Sequence, residues 1–445
     1  MDTPICDFVR SYADREPLRF HMPGHKGLGE EMRLDITEIT GADVLYAAGG
    51  IIQKSRENAA RLFGTAATFY SAEGSSLCIR AMLFLFRLYA RHRGKRPHLA
   101  AFRNAHRSFV SACALLDVEV SWIRPVEQEN LLSCCLSGQQ LEEQLSAMEE
   151  LPLALYVTSP DYLGQMAELR ELRRVCRKYG LLLLVDNAHG AYLRFLPESL
   201  HPMDLGADLC CDSAHKTLPV LTGGAYLHIS SAAPELFLQQ AEQALALFAS
   251  TSPSYLILQS LDRANAFLAG EFRPMLEAFL PRVDACKARL RAAGYVLVGE
   301  EPLKLCLSTK PYGWTGNALA QRLEEENIFC EFSDPDHLVF MLSPLQTEAA
   351  LQRLTEALLA IERRAPLTLL PPPLPLAEAV CSPGAALLAP SERIPAEQSL
   401  GRILSDAEVS CPPAVPILVS GERIDEAALA CFRYYGYSHL RVTKE

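Results

Sequence analysis

The stretch CDSAHKTLPVLTGGAYL, residues 211–227, decides the fold, because it places Lys216 after a serine and a histidine where an apolar strand ends. The neighbours of this lysine are small or apolar, among them Ala214, Leu218 and Val220. A buried lysine costs several kcal/mol unless its charge is paired or removed. A lysine loses that charge as an imine when it holds pyridoxal phosphate (PLP) as a Schiff base.

Strands and helices alternate on both sides of this stretch. The predicted strands cover residues 98–102, 118–123, 153–159, 181–186, 208–213 and 225–230. Helical patterns lie between several of them, at residues 106–116, 139–149 and 167–179. Near-continuous apolar strands separated by helices are typical of a mostly parallel sheet that is covered on both faces. We therefore predict an α/β fold.

The 445 residues are enough for two or three domains, and composition divides them further. Residues 1–50 are irregular and are expected to form an N-terminal arm. Residues 51–250 carry the α/β pattern of a large cofactor-binding domain. Residues 251–365 begin with a long helical pattern near 254–294 and continue as a smaller α+β domain. After the proline-rich linker PLTLLPPPLPL, residues 377–445 form a C-terminal module.

Composition narrows the class of protein. The net charge of −11 argues against nonspecific nucleic-acid binding and mildly favours cationic ligands. No apolar run is long enough for a membrane span, and the N-terminus does not resemble a signal peptide. The fourteen cysteines are scattered without a C-x-x-C pair. We therefore expect reduced core cysteines, no metal, and a cytoplasmic protein.

Polar groups follow several predicted strands at the edge where α/β sheets bind ligands. Gly74, Ser75 and Ser76 open a helix, so their amides and hydroxyls suit a phosphate, although a serine there is also an ordinary N-cap. Asp186 ends an apolar strand and needs a cationic partner if it is buried. The protonated ring nitrogen of PLP is one such partner, and a helix cap or a structural ion pair is the alternative.

Two more groups complete the pattern. His106 follows the strand at 98–102 and could stack on a cofactor ring, although a lone histidine is more often a packing residue. Ser213, His215 and Lys216 would indicate only an exposed loop if they stood alone. The order of phosphate turn, stacking residue, aspartate and lysine, all at strand ends, suits a fold type I PLP enzyme.

Four longer segments resemble the Orn/Lys/Arg decarboxylase family of PLP enzymes, in a short bacterial form without an N-terminal wing domain. RFHMPGHKG (19–27) resembles the N-terminal hallmark of the family, and SAHKTLPVLTGGAYLH (213–228) resembles its PLP-lysine signature. TSPSYLILQSLD (251–262) resembles a segment that reaches into the neighbouring subunit's active site. Residues 381–424 resemble the C-terminal domain of the family.

The resemblance implies roles for individual residues. Lys216 would be the Schiff-base lysine, Asp186 the partner of the pyridinium, His215 its neighbour beside the lysine, and His189 a group near the reacting centre. The remaining cofactor-binding residues that it implies are Ser213, Gly74, Ser75 and Ser76 at the phosphate, His106 and Ala188 on the two ring faces, and Thr251 and Ser252 from the partner subunit.

The resemblance implies decarboxylation of arginine, lysine or ornithine, a reaction of polyamine biosynthesis. It also implies a homodimer or larger homo-oligomer with shared active sites. Transamination or aldol cleavage on the same scaffold is an alternative. A non-catalytic relative that binds or regulates decarboxylases is another, and the intact Ser213, His215, Lys216 and Asp186 argue against it.

Five positions depart from the family pattern. Glu73 stands where asparagine is usual, and its charge would lie near a phosphate unless the side chain points away. Leu77 replaces a polar residue, Asn187 a glutamate or serine, Gly223 a glutamine, and Gly384 an arginine. None of these departures changes Lys216 or Asp186, but they bear on substrate choice.

Overall fold

The alternation of strands and helices is present in the computed structural model, which describes residues 1–125, 130–406, 410–411 and 415–444. The α-helices are α1 Pro4–Asp14, α2 Glu30–Arg33, α3 Ile51–Phe63, α4 Gly74–His92, α5 Arg107–Leu116, α6 Gly138–Ser146, α7 Leu169–Tyr179, α8 Pro202–Leu205, α9 Ala214–Thr217, α10 Glu235–Ala246, α11 Tyr255–Gly270, α12 Phe272–Ala292, α13 Gly316–Glu324, α14 Glu348–Ala360, α15 Pro383–Leu388 and α16 Glu426–Tyr434. The strands are β1 Ala67–Ser71, β2 His98–Phe102, β3 Glu119–Ile123, β4 Ala154–Thr158, β5 Leu182–Asp186, β6 Leu209–Asp212, β7 Ala225–Ile229, β8 Val296–Val298, β9 Lys304–Ser308, β10 Phe332–Ser333, β11 His337–Met341, β12 Ser391–Pro395, β13 Ser410–Cys411, β14 Val415–Pro416 and β15 His439–Thr443.

The main sheet has seven strands in the order β1-β7-β6-β5-β4-β2-β3. Strands β4, β5 and β6 run parallel, whereas β7 is antiparallel to both of its neighbours. Every residue of β5, β6 and β7 is buried, as expected for strands covered on both faces. The predicted α/β class with a mostly parallel sheet is confirmed.

The carboxyl ends of the central strands are level with one another. Thr158 at the end of β4 is paired with Asp186 at the end of β5, and Asp186 is paired with Cys211 in β6. Because β6 continues through Asp212 to Ser213, the polar residues that follow these strands lie along one edge of the sheet.

The predicted long helix at 254–294 is two helices. Helix α11 ends at Gly270 and α12 begins at Phe272. Pro274 favours the interruption, because its ring in a continuous helix would clash with the carbonyl of Gly270 four residues earlier, although Pro281 is accommodated inside α12. In the first turn of a new helix the missing amide costs nothing.

The chain divides into two compact units. The first comprises residues 1–98, 150–159 and 169–274, and the second comprises residues 99–149, 160–168 and 275–445. The second unit contains the four-stranded sheet β10-β11-β9-β8 and two-stranded sheets in the C-terminal region. The four segments expected from composition, at 1–50, 51–250, 251–365 and 377–445, stay predictions.

The departure at Gly384 has a steric reason within the second unit. This glycine lies in the first turn of α15, and a Cβ on it would come 2.7 Å from the carbonyl oxygen of Ala114 in α5. A contact below about 3.0 Å forces the backbone to shift. An arginine at this position would therefore push α15 away from α5.

Two further features of the described residues are the state of their cysteines and the length and character of their helices. Thirteen of the fourteen cysteines have side chains that the structure describes, and these are all free thiols, most of them buried. No helix in the described part of the chain combines the length and the apolar character needed to cross a membrane.

Candidate active site

The start of α4 and the end of β6 meet at the predicted phosphate position. The hydroxyl of Ser213 donates to the hydroxyl of Ser75 at 2.7 Å, so residues from two separate strand ends are brought together. Ser76 follows in the same first helical turn, the end of a helix that favours anions. The amide of Gly74 instead donates to the carbonyl of Gly223 at 2.7 Å. The amides of Ser75 and Ser76 are therefore the candidates for a phosphate.

The departures at Gly223 and Leu77 both have a place in this arrangement. Gly223 has a φ of +98°, and a Cβ on it would come 2.8 Å from the carbonyl oxygen of Ala72. Only glycine adopts that left-handed backbone and permits that close approach without strain. Leu77 is fully buried, so it belongs to the core rather than to the ligand side of the helix.

Glu73 does not direct its carboxylate at the phosphate turn. Its Oε1 accepts the backbone N–H of Ser250 at 2.7 Å. The negative charge is thereby used to hold the segment that contains Thr251 and Ser252. The side chain that seemed unfavourable beside a phosphate has a partner of its own.

Asp186 is the buried carboxylate of the site, with 2% of its surface exposed. It accepts hydrogen bonds from the amide of Ala188 at 3.2 Å, the hydroxyl of Tyr156 at 3.3 Å and the thiol of Cys211 at 3.6 Å. Burial raises the pKa of Asp186, and the positive charge of Lys216 opposes that rise. A buried carboxylate whose hydrogen-bond donors are neutral is suited to a cation such as a protonated ring nitrogen.

Lys216 and His189, two of the predicted catalytic residues, are in contact. Lys216 lies in the short helix α9, and its Nζ is 3.0 Å from Nε2 of His189. His189 is almost completely buried. His215 beside the lysine points its Nδ1 at the carbonyl of Gly224, at 3.1 Å. A carbonyl only accepts, so Nδ1 of His215 carries a proton.

The roles predicted for all the site residues stay predictions, including those of His106, Thr251 and Ser252. His106 belongs to the second compact unit, where it caps α5 by accepting the amide of Ser108 at 3.1 Å. Thr251 and Ser252 line a cavity of about 220 Å³ together with Met22, Pro23 and other residues of the N-terminal arm. Neither is the N-cap of α11, because that residue is Ser254.

The partners of the buried Asp212 were not predicted from the sequence. Two imidazoles and the amide of Asn187 donate to this carboxylate, from His201 Nε2 at 3.0 Å, His228 Nε2 at 3.1 Å and Asn187 Nδ2 at 2.7 Å. We call His201, Asp212, His228 and Asn187 the Asp212 cluster. The signal that could have found it is the pair of histidines in otherwise apolar surroundings, although their shared partner depends on the neighbouring strands. Tyr156 was missed as well.

Cys210 adds a third potential metal ligand beside His201 and Asp212, with the three ligand atoms within 4.8 Å of one another. Burial raises the pKa of the Cys210 thiol, which therefore keeps its proton. Both histidines already donate to Asp212. The geometry thus supports a hydrogen-bonded cluster.

The residues present fit PLP. Hydroxyls and helix-start amides are placed for a phosphate, a buried carboxylate accepts from neutral donors, and a lysine amine lies beside an imidazole. Together with the mostly parallel sheet, this site defines a fold type I PLP-dependent enzyme.

Comparison with known proteins gives the family. The sequence profile described as "Orn/Lys/Arg decarboxylase, major domain" matches residues 3–298. The chain is 31% identical to an arginine decarboxylase of Bacillus subtilis over 96% of this chain and 92% of that protein. It is 30% identical to an arginine decarboxylase of Halalkalibacterium halodurans over 97% and 93%. The chain therefore belongs to the Orn/Lys/Arg decarboxylase family, a family of PLP-dependent decarboxylases, which confirms the predicted family, cofactor and enzyme class.

Solved structures agree on the fold. A lysine decarboxylase of Francisella novicida is similar with a TM-score of 0.79 at 16% identity, covering 99% of this chain and 81% of that one. The constitutive lysine decarboxylase of E. coli is similar with a TM-score of 0.76 at 18% identity, covering 100% and 82%.

Proposed function

We propose that this chain removes the α-carboxyl group of a basic amino acid, and that arginine is its preferred substrate. The contact of Lys216 with His189 at 3.0 Å, close to the buried Asp186, is the observation that carries the chemistry. The choice of arginine is supported by two relatives named arginine decarboxylase that align over more than nine-tenths of both chains. The net charge of −11 suits a cationic substrate.

PLP, when bound, supplies an electron sink for the electron pair left behind as carbon dioxide departs. Asp186 keeps a proton on the ring nitrogen. Because burial raises the pKa of this carboxyl, a cation at the end of the side chain relieves the cost of keeping it ionised.

The amine of Lys216 and the two neighbouring imidazoles manage protons. His189 accepts a hydrogen bond from the Lys216 amine and can take or return its proton. His215 donates through Nδ1 to Gly224, which leaves Nε2 as the acceptor nitrogen of the neutral ring. Lys216 can protonate the substrate Cα, and His215 can do so after it has taken up a proton at Nε2.

The test of this function is a comparison of substrates. Purified protein with added PLP is incubated with arginine, lysine and ornithine, and carbon dioxide and the amine product are measured for each. We expect carbon dioxide and agmatine from arginine at the highest kcat/KM, and neither product from Lys216→Ala.

Other products would replace the proposal. A keto acid would indicate transamination, and cleavage to a smaller amino acid would indicate aldolase chemistry. No product from any substrate, with tight binding to an authentic decarboxylase, would indicate a regulatory relative. A higher kcat/KM with lysine or ornithine would overturn the choice of arginine alone.

We also infer that the active unit is at least a homodimer in which each site uses two chains. The support is the resemblance of residues 251–262 to a subunit-crossing segment, together with the cavity that Thr251 and Ser252 form with the N-terminal arm. Mixing a Lys216→Ala chain with a Ser252→Ala/Ser254→Ala chain, each inactive alone, should restore part of the activity. Hybrid dimers that stay inactive, or a fully active monomer in sedimentation, would contradict shared sites.

The remaining expectations belong to the same proposal. The free thiols of the described residues suit a reducing compartment, which supports a cytoplasmic place. Fractionation of the native host would test it, and limited proteolysis would test the predicted boundaries near residues 50, 250 and 366–376.

A further inference from the structure

Asp212 forms a buried anionic centre directly behind the cofactor site. It is the last residue of β6, its side chain is fully buried, and the next residue is the phosphate-side Ser213. The two imidazoles of His201 and His228 donate to the same oxygen, Oδ2, at 3.0 and 3.1 Å. These donors hold the pKa of Asp212 well below its usual range against the effect of burial. The carboxylate is therefore ionised and fixed in place.

The other oxygen of Asp212 holds Asn187. The Asn187 Nδ2 donates to Asp212 Oδ1 at 2.7 Å, and the Asn187 side chain is fully buried. A Cβ on Gly190 would lie 2.0 Å from Asn187 Oδ1, so the amide is pressed against the backbone of Gly190. Among the described residues that oxygen has no hydrogen-bond partner. Asp212 is thus the group that sets the orientation of this amide.

Asn187 and Gly190 bound a turn, which is closed by the Gly190 amide donating to the Asn187 carbonyl at 2.9 Å. The turn contains Ala188, whose amide donates to Asp186, and His189, which contacts Lys216. A sideways shift of Asn187 would move both residues relative to the lysine.

We propose that Asn187 and Asp212 are positioning residues that act through this turn to hold His189 and Ala188 against Lys216 and the bound PLP. The inference rests on the proposed role of His189, but it concerns cofactor binding and needs no particular substrate. The departure at Asn187 then has a use, because an amide can donate to the Asp212 carboxylate, whereas a glutamate there would repel it.

The first test compares Asn187→Ala with Asn58→Ala. Asn58 is a matched control, since it is also buried in the first unit and its Nδ2 donates to Asp2 Oδ1 at 3.1 Å. Both variants should lose thermal stability. Only Asn187→Ala should raise the Kd for PLP and lower kcat, each by roughly 10-fold or more, with KM for the substrate within about two-fold of wild type. Equal PLP affinity in the two variants would overturn the proposal.

A double-mutant cycle with Asp212→Asn tests the contact itself. If the two residues act as one unit, Asn187→Ala in the Asp212→Asn background should add little, so that the double variant binds PLP about as weakly as the weaker single variant. Independent, multiplying effects on the Kd for PLP would overturn the proposal. If Asp212→Asn does not fold, the comparison of Asn187→Ala with Asn58→Ala decides alone. Failure of arginine as a substrate would leave these PLP affinities unaffected.

Discussion

Asp186 and Asp212 end neighbouring parallel strands and are equally inaccessible, with 2% and 0% of their surfaces exposed. Their surroundings nevertheless shift their pKa values in opposite directions. Burial raises the pKa of Asp186, which accepts from an amide, a phenol and a thiol. For Asp212 the two imidazoles outweigh burial, and its pKa is lowered.

The difference separates a structural carboxylate from a functional one. The chain itself supplies the donors that stabilise the anionic form of Asp212, so that carboxylate is complete without a ligand. Asp186 has neutral hydrogen-bond donors, and its anionic form is stabilised further when a positive charge is placed beside it. A buried acid with a raised pKa at a strand end is therefore a better indicator of the cofactor than burial alone.

The largest effect expected from this comparison is on turnover. Asp186→Asn cannot keep a proton on the PLP ring nitrogen, so kcat should fall by roughly 10²- to 10⁴-fold, the range of a single proton-holding or electrostatic group. The Kd for PLP should also rise. Steady-state kinetics at saturating PLP would measure the loss, and turnover close to wild type would show that Asp186 does not serve the ring nitrogen.

For the stability of the apoprotein, the Asp212 variant should show the larger effect and the Asp186 variant the smaller one. Asp212→Asn replaces a buried carboxylate that accepts from two imidazoles and an amide. Because hydrogen bonds to a charged group contribute roughly 1.5–3 kcal/mol each, it should lower the free energy of unfolding by roughly 3–5 kcal/mol. Asp186→Asn removes a buried charge whose hydrogen-bond donors are neutral, so its apoprotein should be as stable as wild type or more so. Urea unfolding of PLP-free protein would measure both, and a larger loss for Asp186→Asn would contradict the distinction.

The pH dependence of these differences should also have opposite signs. For Asp212 the lowered folded pKa stabilises the protein above the unfolded pKa, so the deficit of Asp212→Asn should shrink as the pH falls below about 4. For Asp186 the raised folded pKa makes the wild-type apoprotein less stable as the pH rises. Any advantage of Asp186→Asn should therefore vanish toward acid pH. Urea unfolding from pH 3 to 8 would test both; pH-independent differences would contradict them.

The smallest expected effect concerns Tyr156. Tyr156→Phe removes a hydroxyl that donates to Asp186, which should cost about 1 kcal/mol, or roughly five-fold in the Kd for PLP. Tyr226→Phe is the control, because its buried hydroxyl contacts Asn265 at 3.4 Å instead. Titration of apoprotein with PLP would compare them, and equal affinities would show that the Tyr156 hydroxyl does not support Asp186.

The two aspartates also mark what the sequence could and could not reveal. The strand ending at Asp186 was predictable, because a continuous apolar run followed by a polar residue has a local signature. The partners of Asp212 were not, since His201 and His228 reach it only because β6 lies between β5 and β7. Strand order is a tertiary property that one-dimensional periodicity does not contain.

Helix boundaries and one distant hydrogen bond also differ from what the sequence indicated. The helix predicted over 139–149 ends at Ser146, and the one predicted over 254–294 is interrupted near Pro274. The proline was visible in the sequence, and its steric effect was the signal to use. The partner of Glu73 was not visible, because Ser250 is 177 residues away along the chain.

The thiol of Cys211 can be used to measure how often this edge of the sheet opens. Burial raises the pKa of Cys210 and of Cys211, so neither thiol reacts with an alkylating reagent while the strands stay closed. Because Cys211 contacts Asp186, its modification requires exposure of the carboxylate that we propose for the ring nitrogen. The rate of Cys211 alkylation, measured by mass spectrometry, would therefore report how often the cofactor site opens. Bound PLP should lower this rate.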